Sequence, residues 1–520
     1  MSKNQAIILS ILSLTAIVLA FMISNRLFFR IDMTRDRAYT ISEASRNLHR
    51  EISDVVTITY FVSDRLSYAH PLPGEISDLI REYAAHSRGR IRFIQRDPAR
   101  AEIVAEVEAL GIIPQRIQVV ERNETTVATV YSGILIEYLD RESVMPVVFS
   151  LETLEYDLSS RIRSLVRNTE RVLGVIVADA HYDWQSEFAL LNQELFFAGF
   201  RVRLISPGEE IPPDLPALFV LGGTEDLEVH ELYFIDRYIR GGGNVLFATE
   251  GISVNIREGF QARAAQDQGL LALLANYGVI VQPYMVHDLS AMNLTYQSQS
   301  WNMTTIRTVR YPQWITVREE YGNPEHPLTA TFSGLDLFWA SPLELVPPDG
   351  VSAEVLFIST EYSWLQTENF YTNPEHLFLF EEEAEDTFGT KILGAALSGV
   401  FPDAFSDSGI SRPARIIVVG NVNFIGSLMQ LNRGSERNLD FILRAAEWLS
   451  SDEDLLAIRM RERTPGRLDR ITDRDRRDAV MNFSRTINTI IIPVIVILVG
   501  VTMSVRRKSN TRARGAGSEF

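Results

Sequence analysis

"RVLGVIVADA" (Arg171–Ala180) is followed almost at once by "QSEFALLNQELFFAGF" (Gln185–Phe200). The first stretch is an unbroken apolar run, too short for a helix and rich in valine. A strand covered on both faces reads this way, whereas a strand with one wet face alternates. The second stretch reads as a helix. The same succession then repeats. "RVRLIS" (Arg201–Ser206) and "ALFVLGG" (Ala217–Gly223) are strands, "VHELYFIDRYIRGGG" (Val229–Gly243) is a helix, and "NVLFATE" (Asn244–Glu250) is another strand. Buried strands alternating with helices predict a parallel, doubly wound sheet. That sheet resumes with "RIIVVGNVNFI" (Arg415–Ile425) and the helix "NLDFILRAAEWLS" (Asn438–Ser450). Between about 258 and 408 the periodicity weakens and aromatics accumulate, so this stretch is expected to be a long insertion.

A smaller α/β unit precedes it. "VVTITYFVS" (Val55–Ser63) and "RIRFIQRD" (Arg90–Asp97) are strands, separated by the amphipathic helix "PGEISDLIREYAAHS" (Pro73–Ser87). A further helix, "AEIVAEVEALGI" (Ala101–Ile112), stops at Gly111 and Pro114. Residues 116–148 read as two or three antiparallel strands, and "LETLEYDLSSRIRSLVRNT" (Leu151–Thr169) closes the unit as a helix. The order β-α-β-α-β-β-α suits a thioredoxin-like domain. A redox version needs Cys-x-x-Cys, and the chain has no cysteine, so this is a scaffold use of that fold.

Two uncharged apolar segments frame these units. Ala6–Ile23 would span about 27 Å as a helix, enough for a bilayer core. Ile487–Val505 is similar and is followed by Arg506, Arg507 and Lys508. No good cleavage site follows the first segment, which favours an uncleaved anchor. Basic flanks prefer the cytoplasm. Both termini are therefore expected there, with the body extracytoplasmic on a two-pass inner-membrane protein. Between anchor and first strand, Thr40 or Ser42 is placed to cap a helix starting near Ser42, and Thr40 with Glu43 has capping-box spacing. The stretch reads as a rigid collar.

Of 520 residues, 50 are Lys or Arg and 67 are Asp or Glu, for a net charge of −17. Without Lys3 and the last fifteen residues the body holds 44 basic and 66 acidic side chains. Such a body repels nucleic acid. The absence of cysteine also excludes a thiol nucleophile and thiolate metal sites. Lys391 is the one lysine in the body and lies outside any Gly-rich phosphate loop, so the chain is not expected to hydrolyse ATP by itself.

An ordered set of segments carries a resemblance: "IDMTRDRAYTISEASRNLHREISDVVTITYFVS" (Ile31–Ser63), "GGGNVLFATEG" (Gly241–Gly251), "LGAALSGVFPDAF" (Leu393–Phe405), "RIIVVGNVNFIGS" (Arg415–Ser427) and "RNLDFILRAAEWLSSDEDLLAIRMRE" (Arg437–Glu462). Together they resemble the gliding-motility-associated ABC-transporter auxiliary family, with Met33 where that family usually has leucine. The resemblance implies an integral membrane subunit beside an ABC permease and a separate ATP-binding subunit. It also implies that the second unit is a GIFT-type domain, flavodoxin-like and related to class-I glutamine amidotransferases but without their catalysis. The expected plan is an anchor (1–24), a collar and thioredoxin-like domain (25–168), a GIFT-type domain (169–460), a linker (461–486), a second span (487–505) and a basic cytoplasmic tail (506–520).

Candidate site residues cluster at predicted strand ends, where open α/β sheets bind ligands. In "ADAHYDW", Asp179, His181 and Asp183 could hold a metal or do acid–base work, or could simply be turn and cap residues. Gly222, Gly223 and Thr224 could let a ligand approach closely, or form a tight turn. Glu250 and Asn421 complete the candidate set. Gly241–Gly243 should end a helix. The run Phe380–Asp386 reads as a solvated acidic loop. Trp301, Trp314, Trp339 and Trp364 could stack on sugars or fill a core. "NPEH" occurs at Asn323 and at Asn373 as two turns. No cofactor is expected. The favoured role is a non-enzymatic binding subunit. A tethered hydrolase using Asp179, His181 and Asp183, or a ligand receptor using the strand-end crevice, are the alternatives.

Overall fold

The computed structural model describes residues 41–450, apart from 122–123, 152, 181, 224–226, 256–259, 266–268, 301–302, 331, 377–387, 406–410 and 432–434. Residues 1–462 and 463–520 are two compact units, and the described residues all lie in the first. Among them no helix is long and apolar enough to cross a membrane. Both expected spans, Thr40, and the acidic run at 380–386 lie outside the described residues.

Helix α1 (Glu43–Glu51) is capped by Ser42, whose Oγ accepts from the Ser45 amide at 3.1 Å. The chain continues through β1 (Val56–Val62), α2 (Asp64–Ala69), α3 (Leu72–Ala85), β2 (Ile91–Arg96) and α4 (Val104–Ala109). Then come β3 (Gln115–Glu121), β4 (Glu124–Val130), β5 (Ser132–Tyr138), β6 (Arg141–Met145) and α5 (Leu154–Arg167). The sheet order is β2-β1-β5-β6. Strands β1 and β2 are parallel, and β5 is antiparallel to both of its neighbours. Residues 116–148 thus hold four strands rather than two or three. The reason is local: β4 ends at Val130 and β5 starts at Ser132, with no turn residue between them. The first hairpin, β3–β4, pairs only with itself.

Helix α1 is fastened to this unit through buried polar contacts. The Ser42 amide and the Ser45 hydroxyl both donate to Glu155 of α5, at 2.6 and 2.8 Å. Ser45 and Tyr83 each share a hydrogen bond with Ser159, at 3.0 and 2.8 Å. Ile41, Leu48 and Ile52 enter the same core as β1 and α3. From residue 41 onward the collar is a packed element.

The second sheet begins with β7 (Val172–Val177), α6 (Trp184–Glu187), α7 (Ala189–Phe197), β8 (Arg201–Leu204), β9 (Ala217–Leu221), α8 (Val229–Arg240) and β10 (Asn244–Ala248). Strands β11 (Ile252–Asn255) and β12 (Gln261–Ala264) form a side ribbon, followed by α9 (Gly269–Tyr277) and β13 (Val279–Val281). Next are β14 (Met285–Asp288), β15 (Ala291–Ser300), β16 (Met303–Val317), β17 (Leu335–Phe338), β18 (Leu343–Leu345), β19 (Val351–Ile358), β20 (Ser363–Gln366) and β21 (Ile392–Gly399). Strand β22 (Ala414–Val419) and helix α10 (Ser435–Ser450) close the described chain. Gly241 caps α8, as the glycine run predicted. Both "NPEH" copies are turns in which Asn323 and Asn373 accept from the amide two residues on.

Nine strands make the large sheet, in the order β13-β18-β21-β22-β10-β9-β7-β8, with β19 beside β21. Strands β8, β7, β9, β10 and β22 are mutually parallel. The rest are antiparallel. A parallel, doubly wound sheet was expected. Strand β21 reaches β22 through residues 400–413, and among those described there is no crossover helix of the kind that returns a chain parallel. The stretch expected as an insertion supplies β13, β18, β19 and β21, so it extends the sheet as well as decorating it.

Strand β9 shows why the sheet needs two covers. Ala217, Phe219 and Leu221 enter one core, while Leu218 and Val220 enter the other. Leu191 and Leu195 of α7 and Phe441, Ile442 and Ala445 of α10 fill the first core. Leu232, Ile235 and Ile239 of α8 and Leu270, Leu273 and Leu274 of α9 fill the second. Each such aliphatic or aromatic side chain stabilises the fold by about 1.5–3 kcal/mol on burial.

Candidate functional site at the carboxyl edge of the parallel strands

The registers place Val177, Leu221, Ala248 and Val419 side by side across β7, β9, β10 and β22. Two residues beyond that level in each strand stand Asp179, Gly223, Glu250 and Asn421. Four of the sequence candidates therefore line one edge, and the strand order turns back on itself between β7 and β9. Reversal of strand order at a carboxyl edge is where such sheets leave a crevice.

The crevice floor is tightly bonded. Buried Asp179 accepts from the Gly223 amide at 2.8 Å. Gly222 has φ +80°, and a Cβ there would lie 2.2 Å from the Asp179 carboxylate. Glu250, also buried, accepts from the Val422 amide at 3.3 Å and from the Asn421 and Asn423 side chains at 3.4 and 3.5 Å. Asn421 in turn brackets β17: it accepts from the Phe338 amide at 3.2 Å and donates to the Phe338 carbonyl at 2.5 Å. Asp183 caps α6, accepting from the Ser186 amide and hydroxyl at 2.9 and 2.8 Å, and is exposed. His181 and Thr224 lie outside the described residues. Asp179 and Asp183 thus serve separate bonds.

Three residues of the edge escaped the sequence reading. The Tyr182 hydroxyl donates to Asn423 at 3.4 Å. Burial pushes its pKa well above the usual tyrosine range, and the carboxylates of Glu250, Asp179 and Glu187 push the same way. Glu187 accepts from the Ser427 amide and hydroxyl at 2.9 and 2.8 Å, tying α6 to the segment after β22. A tyrosine between two aspartates, and an asparagine two places after Asn421, were the available signals. Both look like ordinary loop residues until the strands are aligned.

Other candidates resolve into structure. Trp314 and Trp339 are buried with ring centroids 5.8 Å apart, and Trp364 is buried against His287 at 5.1 Å. They are core; Trp301 lies outside the described residues. The Lys391 ammonium donates to the Gly389 carbonyl at 2.7 Å at the start of β21.

A mixed α/β protein with a bonded, acidic strand-end floor is the class that fold and site define. The chain belongs to the family described as an ABC-type uncharacterized transport system, which it matches over residues 170–445. That match gives it an auxiliary role in transport. Residues 35–137 match a domain of unknown function. An uncharacterized protein of Borreliella burgdorferi is 27% identical over 523 residues, covering 98% of this chain and 100% of that one. Among solved structures, the mmIFT52 N-terminal domain aligns with 54% of this chain and 98% of its own at 12% identity, with a TM-score of 0.33. A putative ThuA-like protein from Parabacteroides merdae aligns with 54% of this chain and 91% of its own, also at 12% identity, with a TM-score of 0.27. At these scores neither likeness carries an argument.

Proposed function

We propose that the chain is a membrane-anchored, non-enzymatic subunit of an ABC-type transport complex, working beside a permease and a separate ATP-binding subunit. The family match over 170–445 carries this reading, because it spans every strand of the nine-stranded sheet. The domain plan follows the same lines. In the first sheet a single antiparallel strand sits between parallel ones, which supports a thioredoxin-like scaffold. In the second the parallel strands run 2-1-3-4-5 in order of appearance, which supports a flavodoxin-like, GIFT-type domain. The carboxyl edge is read as a binding face. Its carboxylates are occupied by backbone amides and carboxamides, and its phenol stays protonated, so it offers recognition rather than proton transfer.

Purification of the full chain from its membrane in mild detergent should bring a permease and an ATP-binding subunit with it. A chain that purifies alone after gentle cross-linking would sink the proposal. The anchor and orientation have their own test in a chain without native cysteine. Single cysteines at Ser67, Ser206 and Ser352, all exposed, should react with a membrane-impermeant thiol reagent in cells with a permeabilised outer layer. Ser2→Cys and Ser509→Cys should stay protected, and the opposite pattern would move the body into the cytoplasm.

A further inference from the structure

A cavity of about 420 Å³ lies between α1 and the turn that follows α3, far in sequence from the strand-end edge. Its lining is Arg46, His49, Arg50, Ala85, His86, Ser87, Arg88 and Arg90. Four arginines and two histidines thus face one space in a chain of net charge −17. Among the described residues none of the four arginines is ion-paired with a carboxylate. Elsewhere this protein pairs its arginines readily: Arg240 with Asp236 at 2.8 Å, Arg444 with Asp440 at 2.9 Å, Arg201 with Glu170 at 2.8 Å.

The roles within the cluster can be separated. Arg90 is structural, since one of its guanidinium nitrogens donates to the carbonyls of His49 and Arg50, both at 2.8 Å, and closes the end of α1. Arg50 donates to Asn47 at 3.1 Å but meets no acid. The turn holds Arg88 at φ +57° and Gly89 at φ +87°, so Arg88 adopts a left-handed backbone that an arginine favours little. His49 is 3% exposed, and neither ring nitrogen has a hydrogen-bond partner. A buried polar group without a partner is destabilising, so it needs an explanation. Its ring packs edge-on against Tyr83 at 4.5 Å, and its surroundings include the His86 backbone and the Glu155 carboxylate.

We propose that this cavity binds a phosphate-bearing anion, held by Arg46, Arg50 and Arg88, with His49 and His86 as further donors. Guanidinium groups match phosphate oxygens in pairs, and His86, whose Nδ1 lies 2.9 Å from the Glu82 carbonyl, has Nε2 left for the anion. The volume lies in the range of small-molecule pockets, about 300–1,000 Å³, so the anion can carry an organic substituent. A free phosphate compound and a phospholipid headgroup share this chemistry.

The test uses the full chain in neutral detergent micelles. Two probes are added separately: inorganic phosphate, and micelles doped with phosphatidylglycerol against phosphatidylcholine as control. The readout is binding, followed by calorimetric titration and by the shift in unfolding midpoint. Saturable binding of phosphate alone identifies a soluble ligand. A response to phosphatidylglycerol that phosphatidylcholine does not give identifies a headgroup. Arg46→Gln and Arg88→Gln should each weaken binding roughly tenfold, the value of one charge-assisted hydrogen bond. Both positions are exposed, so these variants should fold. Arg46→Lys, which keeps the charge but loses the paired contact, should weaken binding less than Arg46→Gln, and His49→Gln should weaken binding less than either glutamine variant of an arginine. No response to either probe, or a response unchanged in the Arg46→Gln, Arg88→Gln double variant, overturns the proposal.

Discussion

The carboxyl edge of the parallel strands and the cavity beside α1 both gather charged side chains, yet they are built in opposite ways. At the edge each described acid has partners. Asp179 has the Gly223 amide, Glu250 has Asn421, Asn423 and the Val422 amide, and Glu187 has Ser427. Beside α1 the described cations meet carbonyl oxygens and no carboxylate, Arg90 those of His49 and Arg50 and Arg50 that of the Asn47 side chain, and the buried His49 ring has the His86 backbone as a polar neighbour. Desolvated charge is tolerated when it is bonded, so the edge reads as finished structure with a shaped surface. Among the described residues the α1 cavity keeps Arg46 and Arg88 without an acid. Position in the fold favours the edge as a ligand site, whereas hydrogen-bond accounting favours the cavity.

Acid should produce the largest effect and separate the two regions. Burial lowers the pKa of His49, His287 and His326 to about 4. An unfolded histidine titrates near 6.5, so between roughly pH 6.5 and 4 the unfolded chain binds more protons than the folded one. Stability is therefore full above that window and falls as the pH drops through it, by at most about 3 kcal/mol for each ring. His49 lies in the first sheet's unit, while His287 lies on β14 and His326 beside Trp448 of α10. Amide exchange at falling pH should show α1 and α3 opening in the wild type. His49→Gln should keep them closed to lower pH without changing α10. Identical acid profiles for the two proteins would remove His49 from the account.

A pair of glycines isolates packing from backbone strain at the two places. Gly222 at the edge has φ +80° and an added Cβ would strike Asp179, whereas Gly89 at the cavity has φ +87° and nothing within 4 Å. Gly89→Ala should cost only the left-handed penalty, roughly 1–2 kcal/mol. Gly222→Ala carries that penalty and also disturbs the Asp179–Gly223 bond, for about 3 kcal/mol in all. Unfolding midpoints of the two variants, measured side by side, give the comparison directly. Equal losses would mean that the edge is looser than its bonds imply.

Much of this contrast was legible beforehand, and the reasons it was not wholly so are specific. The runs at Val172–Val177, Ala217–Leu221 and Val245–Ala248 are apolar because both faces are covered, as in a parallel core. The edge followed from it, since strand ends are where the runs stop. Strand β21 was harder to read: "ILGAALSG" is apolar too, but nothing in its composition announces that it pairs antiparallel with β22. The hairpin β15–β16 mixes polar and apolar residues, so its pairing emerges only with its partner. Tyr182 and Asn423 meet across a separation of 241 residues, which no local pattern reports. The cavity beside α1 was hidden similarly, for Arg46 and Arg50 face Arg88 only once α1 has docked on α3.

Asp183 provides the smallest and most discriminating test, because it stands where the hydrolase reading and the structural reading diverge. As the cap of α6 it accepts two hydrogen bonds from Ser186. Losing a cap of this kind typically costs about 1 kcal/mol. Helix α6 is one turn long, but it carries Trp184 into the core and Glu187 to Ser427, so its fraying would reach the segment after β22. Asp183→Ala should therefore lower stability by about that amount, and Asp183→Asn or Asp183→Ser, which can still cap, should restore most of it. Transport-linked function should follow stability in all three. A general base or metal ligand would behave otherwise: Asp183→Asn and Asp183→Ser would then abolish function while the unfolding midpoint stayed near wild type. That split would move Asp183 from the framework into the chemistry and return the strand-end edge to the status of an active site.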